Sequence, residues 1–222
     1  CHGIRRHVSW RAVEYLSQDN AQKAEKGADV VKKLLEQDGL SPVEADKYMN
    51  KLADRYKQEK DIANGTLRGE LLGVMAGLCT QSVYKEEARK IYKPLFQESL
   101  RDEADLVREA AVEGLIYVDK TAALKIFRIS MVNDSSAKVR EEIANLAGEV
   151  GGTEDLIWLA DRINSASESG QAWQAMLKIF KVSDMPVLEE WLNRFDLPGS
   201  KTRLTDEQNL AFLERAERKA DG

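Results

Sequence analysis

Residues able to do chemistry are few in this sequence, and they do not gather. Both histidines, His2 and His7, fall at the N-terminal end, so no Ser-His-Asp or Cys-His arrangement can be assembled elsewhere. Cys1 and His2 are ligand types side by side, but a zinc site uses three or four ligands and no Cys-x-x-Cys pair joins them. Carboxylate pairs such as Glu141-Glu142 and Glu189-Glu190 are adjacent in helical sequence. Neighbours on a helix point about 100° apart, so these pairs cannot converge on one substrate atom and read as solvated charge. The string Gly148-Glu149-Val150-Gly151-Gly152-Thr153 has the glycines of a phosphate loop without its Lys-Ser/Thr ending or a preceding strand. Gly151 and Gly152 read instead as helix ends, and Thr153 as an N-cap. Asn64-Gly65-Thr66 and Asn133-Asp134-Ser135 match a glycosylation acceptor, but both are equally natural helix-start turns. The expectation is a chain with no catalytic residue, no metal and no cofactor.

The aromatics say more. Trp158, Trp173 and Trp191 fall on three successive predicted helices. Tryptophan at helical spacing packs in a core by default; the competing reading is a set of exposed anchors on a concave partner-binding face.

Composition narrows the class. The chain has 222 residues, 43% of them hydrophobic and 32% charged, which fits an ordered protein rather than a disordered tail. Only 14 glycines and 4 prolines leave little for the many turns of a β-sandwich. A formal net charge of −5 argues against general nucleic-acid binding, which needs a basic face. One basic stretch stands apart: His2, Arg5, Arg6, His7 and Arg11 all precede the first acidic residue, Glu14. It reads as a solvated helix start or as a contact for an anionic membrane surface or acidic partner. No apolar run approaches the roughly 20 residues needed to span a bilayer. Cys79 follows the apolar set Leu71, Leu72, Val74, Met75 and Leu78, and is expected to behave as a small buried hydrophobe. Cys1 has two readings: a cut end, or a processed end carrying lipid as in bacterial lipoproteins. The first goes with a cytoplasmic protein by default, the second with an extracytoplasmic, lipid-anchored one whose membrane contact runs through Cys1 and the basic N-terminus.

The elements that must position these residues are helices. Ala21, Ala24, Ala28, Val31, Leu34 and Leu35 recur at spacings of three and four, one face of an α-helix. Asp38-Gly39 ends it. Ser41-Pro42-Val43-Glu44 then combines an N-cap, a first-turn proline and a capping-box glutamate. The next apolar face is Ala45, Tyr48, Met49, Leu52, Ala53 and Tyr56, so residues 20–60 predict an antiparallel helical hairpin. Further helices are predicted near 66–81, 85–100, 103–118, 120–133, 136–150, 153–165, 168–182 and 184–195. Their short separators, Asp102, Asp119, Asn133-Asp134 and Gly151-Gly152-Thr153, force antiparallel neighbours. A polar link at 196–204, with Pro198-Gly199-Ser200, precedes a last helix within 205–222 that opens on Thr205-Asp206-Glu207-Gln208.

An internal repeat runs through this pattern. Asp102, Val107, Arg108 and Ala111 recur as Asp134, Val139, Arg140 and Ile143, each 32 residues on. Leu67-Arg68 stands 40 residues before Val107-Arg108, and Gln171-Ala172-Trp173 is a degenerate copy 32 residues past Val139. Such a period, with two helices per unit, is that of a helical solenoid. In Val139-Arg140 through Ala144, Leu146, Ala147, Gly148, Val150 and Gly151 the sequence resembles the second helix of HEAT repeats, and armadillo-like helical repeats more widely.

The resemblance, clearest over 66–195, implies an all-α, right-handed α-solenoid of antiparallel helical hairpins. Residues 1–63 would be an N-terminal hairpin acting as a cap or docking element, and 64–195 the repeats. It also implies a ladder between units from turn aspartates and second-helix arginines, at the positions of Asp102, Arg108, Asp134 and Arg140. The same arginines could hold a phosphate or an acidic peptide, but a buried arginine in such a stack requires a paired carboxylate. The function expected is a non-enzymatic scaffold binding a protein partner through its helical-repeat surface. The alternatives are a lipid-anchored, envelope-associated assembly factor, and a HEAT-like enzyme acting as a lyase or on nucleic-acid bases, which would need a basic groove.

Overall fold

A computed structural model describes residues 11–37, 40–59, 65–162 and 169–180. Among these residues the regular structure is helical, with no strand. A helical segment at 11–16 leads into α1 (Ala21–Glu36), α2 (Pro42–Gln58), α3 (Gly65–Gln81), α4 (Lys85–Ser99) and α5 (Asp105–Val118). Then follow α6 (Lys120–Ser130), α7 (Ala137–Val150), a 3₁₀ turn (Thr153–Asp155), α8 (Leu156–Ala160) and α9 (Ser169–Ile179). No helix among the described residues is long and apolar enough to cross a membrane. The chain divides into two compact units, Cys1–Asp119 and Lys120–Gly222. The predicted link at 196–204 and the helix in 205–222 lie outside the described residues.

Local chemistry sets the helix starts. Asn20 caps α1 by accepting from the Lys23 N–H at 3.1 Å. At α2 the predicted capping box is present: Ser41 Oγ accepts from the Glu44 N–H, and the Glu44 carboxylate accepts from the Ser41 N–H at 3.0 Å. Each such cap satisfies donors that a helix cannot satisfy for itself, and contributes about 1 kcal/mol.

In the first unit the helices form two layers, because each carries one apolar face and must bury it. Helix α3 packs between α1 and α5, while α4 packs on α2, and successive helices close antiparallel hairpins. The hairpin of α1 and α2 is therefore packed onto the helices that follow it. The core includes Val31, Leu52, Leu71, Leu72, Met75, Tyr92, Phe96 and Val107, all buried. Tyr92 and Phe96 meet edge to face, with ring centroids 6.4 Å apart. Cys79 sits in this core, as its apolar neighbours suggest, and burial pushes its thiol up to about 12. In the second unit α7 packs against α6 and α9, and α8 against α9.

Glycine decides two close approaches. A Cβ on Gly27 would meet the Leu16 N and the Ala12 carbonyl oxygen at 2.8 and 2.9 Å, so segment 11–16 crosses α1 backbone to backbone. A Cβ on Gly114 of α5 would lie 2.6 Å from the Phe96 ring, so that ring rests against α5 where a side chain is missing.

The second-unit helix predicted over 153–165 needs correction. Thr153 does not cap an α-helix but opens the 3₁₀ turn, and the α-helix begins only at Leu156. The cause is Asp155, which is fully buried and takes the Gly152 N–H at 3.0 Å, tightening the chain before α8. Gly151 ends α7, as its position suggests.

Two glycines give opposite expectations. Gly114→Ala should destabilise the chain by about 1–3 kcal/mol, because the Phe96 ring must shift in a filled core. Gly73→Ala, where a Cβ meets nothing within 4 Å, should stabilise it by about 0.5–1 kcal/mol through the entropy of the unfolded chain. Urea titrations of both variants beside the parent check the pair; equal midpoints for the two would contradict the geometry.

Candidate partner-binding surface

The sequence repeat has an atomic counterpart in the turns. Asp102 Oδ1 accepts from the Ala104 N–H at 2.9 Å, and Asp134 Oδ1 from the Ser136 N–H at 2.8 Å, two Asx turns that lead into α5 and α7. Arg108 then folds back, its Nη1 donating to the Asp102 and Glu103 carbonyls at 2.9 and 3.1 Å. Arg140 does the same with the carbonyls of Asp134 and Ser135. The carbonyls of a turn that no helix hydrogen bond reaches are thus met by a guanidinium from the helix beginning there.

A rung between consecutive turns is formed by a different arginine. Arg68 Nη2 donates to Asp102 Oδ1 at 2.7 Å, with the Arg68 side chain only 7% exposed. Arg68 is the residue that the Leu67-Arg68 echo placed one repeat earlier. Asp102 therefore serves two turns: its backbone carbonyl takes Arg108 and its carboxylate takes Arg68. Beside it the Tyr56 hydroxyl lies 2.6 Å from Ser99 Oγ. Ser99 donates onward to the Leu95 carbonyl at 2.6 Å, so Tyr56 is the donor of the pair.

Turn aspartate and second-helix arginine thus recur at the sequence period with the same bonds. Residues 92–178 match the family model of HEAT repeats. The HEAT match runs from the middle of α4 to the end of α9. Over 97% of its length the chain is also similar to the crystal structure of an engineered protein, covering 96% of that chain with a TM-score of 0.57 and 14% identity. At that identity the likeness concerns fold alone. No curated protein matches the chain. The fold is an all-α, HEAT-like solenoid.

The tryptophans divide. Trp158, on α8, is half-buried, and its indole Nε1–H donates to Asp155 Oδ1 at 2.9 Å. Trp173, on α9, is half-buried as well, next to the buried Ala172. Helix α9 approaches α7 closely here: a Cβ on Gly148 would come within 3.0 Å of Ala175 Cα. Trp191 lies outside the described residues, as do Cys1, His2, His7 and the arginines Arg5 and Arg6.

Asp155 holds this part of the HEAT region together. Besides Gly152 and Trp158 it accepts from Arg128 Nε at 2.7 Å and Nη2 at 2.5 Å, a two-pronged ion pair from α6 to the 3₁₀ turn. Burial alone pushes the Asp155 carboxyl up, but the Arg128 guanidinium, the Gly152 N–H and the Trp158 indole together hold it below the usual carboxylate range. The sequence offered no signal for this pair: Arg128 and Asp155 stand outside the repeated positions, and Asp155 reads locally as one more first-turn acid.

The direction of that shift sets a pH dependence. Asp155 binds its proton less readily folded than unfolded, so its contribution to stability is complete above the unfolded carboxylate value, about 3.9, and fades as the pH falls through the folded one. Asp155→Asn should destabilise by about 3 kcal/mol at neutral pH, since it removes the buried carboxylate of the Arg128 pair and leaves only the exposed Glu154, 3.0 Å from Arg128 Nη2. It should also flatten the acid limb of a thermal-stability profile. An unchanged acid limb in the variant would show that Asp155 does not carry the transition.

Proposed function

We propose that this chain is a non-enzymatic scaffold that binds a protein partner through the surface of its helical repeats. The observation that supports this most directly is how the chain uses its buried charge. Arg68, Arg108, Arg128 and Asp155, the groups that could polarise or hold a substrate, are turned onto the chain itself as turn closures and ion pairs. What faces outward is contact surface: the partly exposed rings of Trp158 and Trp173, and apolar side chains such as Leu106 and Ile157. Aromatic anchors of this kind dominate the energetics of protein interfaces without needing a reactive group. The similarity to HEAT repeats supports the same reading.

Trp173 serves as the test position, since removing Trp158 would also take a hydrogen bond from the buried Asp155. The immobilised full chain, exposed to extract of its own source cells, is expected to retain one partner in stoichiometric amount. Trp173→Ala, checked for unchanged helicity, should weaken that binding about tenfold or more. Retention of no partner across a range of salt concentrations would overturn the scaffold reading; equal retention by the variant would remove Trp173 from the contact.

A further inference from the structure

Between α1 and α3 runs a groove of about 430 Å³ that the turn chemistry does not use. Its floor is apolar: Ala28 from α1, and Leu67, Leu71 and Val74 from α3. At Gly73 the floor is open: a Cβ there would meet nothing within 4 Å. Glu25, Asp29 and Glu70 line its rim, and among the described residues one cation, Lys32, joins them.

Lys32 shows what the groove accommodates. A Cβ on Gly77, one turn beyond Gly73, would lie 3.2 Å from Lys32 Nζ and 3.4 Å from its Cε. The tip of the lysine thus lies over a glycine of α3, with its ammonium 4.0 Å from Glu36. The adjoining stretch is likewise floored by a glycine, Gly73, and carries more negative charge; among the described residues no side chain comes within 4 Å of a Cβ placed there. Glu70 bears the consequence: partial burial, a hydrogen bond with Glu25 and the nearby charge of Glu25 and Asp29 all push its carboxyl up. Among the described residues no group of three or more metal-ligand side chains could hold a metal ion, which leaves an organic cation as the fitting charge.

We propose that the α1–α3 groove docks a lysine- or arginine-bearing segment of the protein partner, the methylene stem lying on Leu67, Leu71 and Val74 over Gly73 and the cationic head among Glu25, Asp29 and Glu70. This rests on the scaffold reading and gives the partner a chemistry. Long cationic side chains combine an apolar stem with a charged tip, and the groove presents those two surfaces in that order. The net charge of −5 favours the encounter with a basic segment and makes it sensitive to salt.

The probe is a short capped peptide with lysine between leucines, titrated into the isotope-labelled full chain and followed by amide chemical shifts. Its control is the same peptide with the lysine acetylated, which keeps the stem and removes the charge. Shifts are expected at residues 25–32 and 67–74 with the lysine peptide and not with the acetylated one. Glu25→Gln combined with Glu70→Gln should weaken binding roughly fivefold or more, as the loss of exposed charge pairs does. Gly73→Leu, which fills the groove without touching a charge, should weaken it to a similar degree. Shifts spread over acidic residues elsewhere, or binding by Gly73→Leu equal to the parent, would overturn the proposal. Failure of the two readings can be told apart. A captured partner whose binding ignores both sets of variants sinks the groove and leaves the scaffold. Peptide binding in the groove with no partner retained from extract does the reverse.

Discussion

Stacked helical hairpins bury both long flanks of their inner helices, and this leaves the turns with a problem that packing cannot solve. Each turn exposes carbonyls that no helix reaches and N–H groups that begin the next helix without partners. In this protein the answer repeats: an aspartate side chain takes the N–H two residues ahead, and an arginine one turn into the helix returns to take the carbonyls. The guanidinium suits the task because its donors lie in one rigid plane, whereas an ammonium could meet the same carbonyls only as a point charge. Everything else in the layers, from the Phe96 seat on Gly114 to the α3 contact with α1 and α5, requires that these turns hold a fixed geometry.

Where the sequence is legible, the determinants are local. The Ser41-Pro42-Glu44 start can be read because a cap is made by neighbours a few residues apart, and the structure has the same bonds. The Val-Arg echo at 32 residues is legible because both copies face the same constraint. What escapes a reading of the chain is pairing across space. Arg68 was visible as an echo, but nothing in its surroundings says that its carboxylate is Asp102 rather than a nearer acid. Asp155 looks like any first-turn acid, and only its burial beneath Arg128 and Trp158 turns the expected helix start into a 3₁₀ turn. The groove is the extreme case: Glu25 and Glu70 belong to helices separated by a whole further helix, α2, and each alone reads as solvated charge.

Two kinds of acidic residue therefore coexist. Asp102 and Asp155 are held by cations of the chain itself and contribute to its stability. Glu25, Asp29 and Glu70 crowd one another, and the like-charge repulsion among them weakens the fold slightly at neutral pH. A protein that only had to fold would gain by exchanging one of them.

The arginine-closed turns also bear on how the chain acquires its structure. Arg108 and Arg140 reach carbonyls only five or six residues back, so closing each turn sacrifices little chain entropy and depends on no distant segment. Such turns can form independently along the chain, and a hairpin that has formed offers its apolar face as a template for the next. Assembly can then start at more than one place and spread to neighbours, as in a one-dimensional lattice, rather than wait for a single long-range contact.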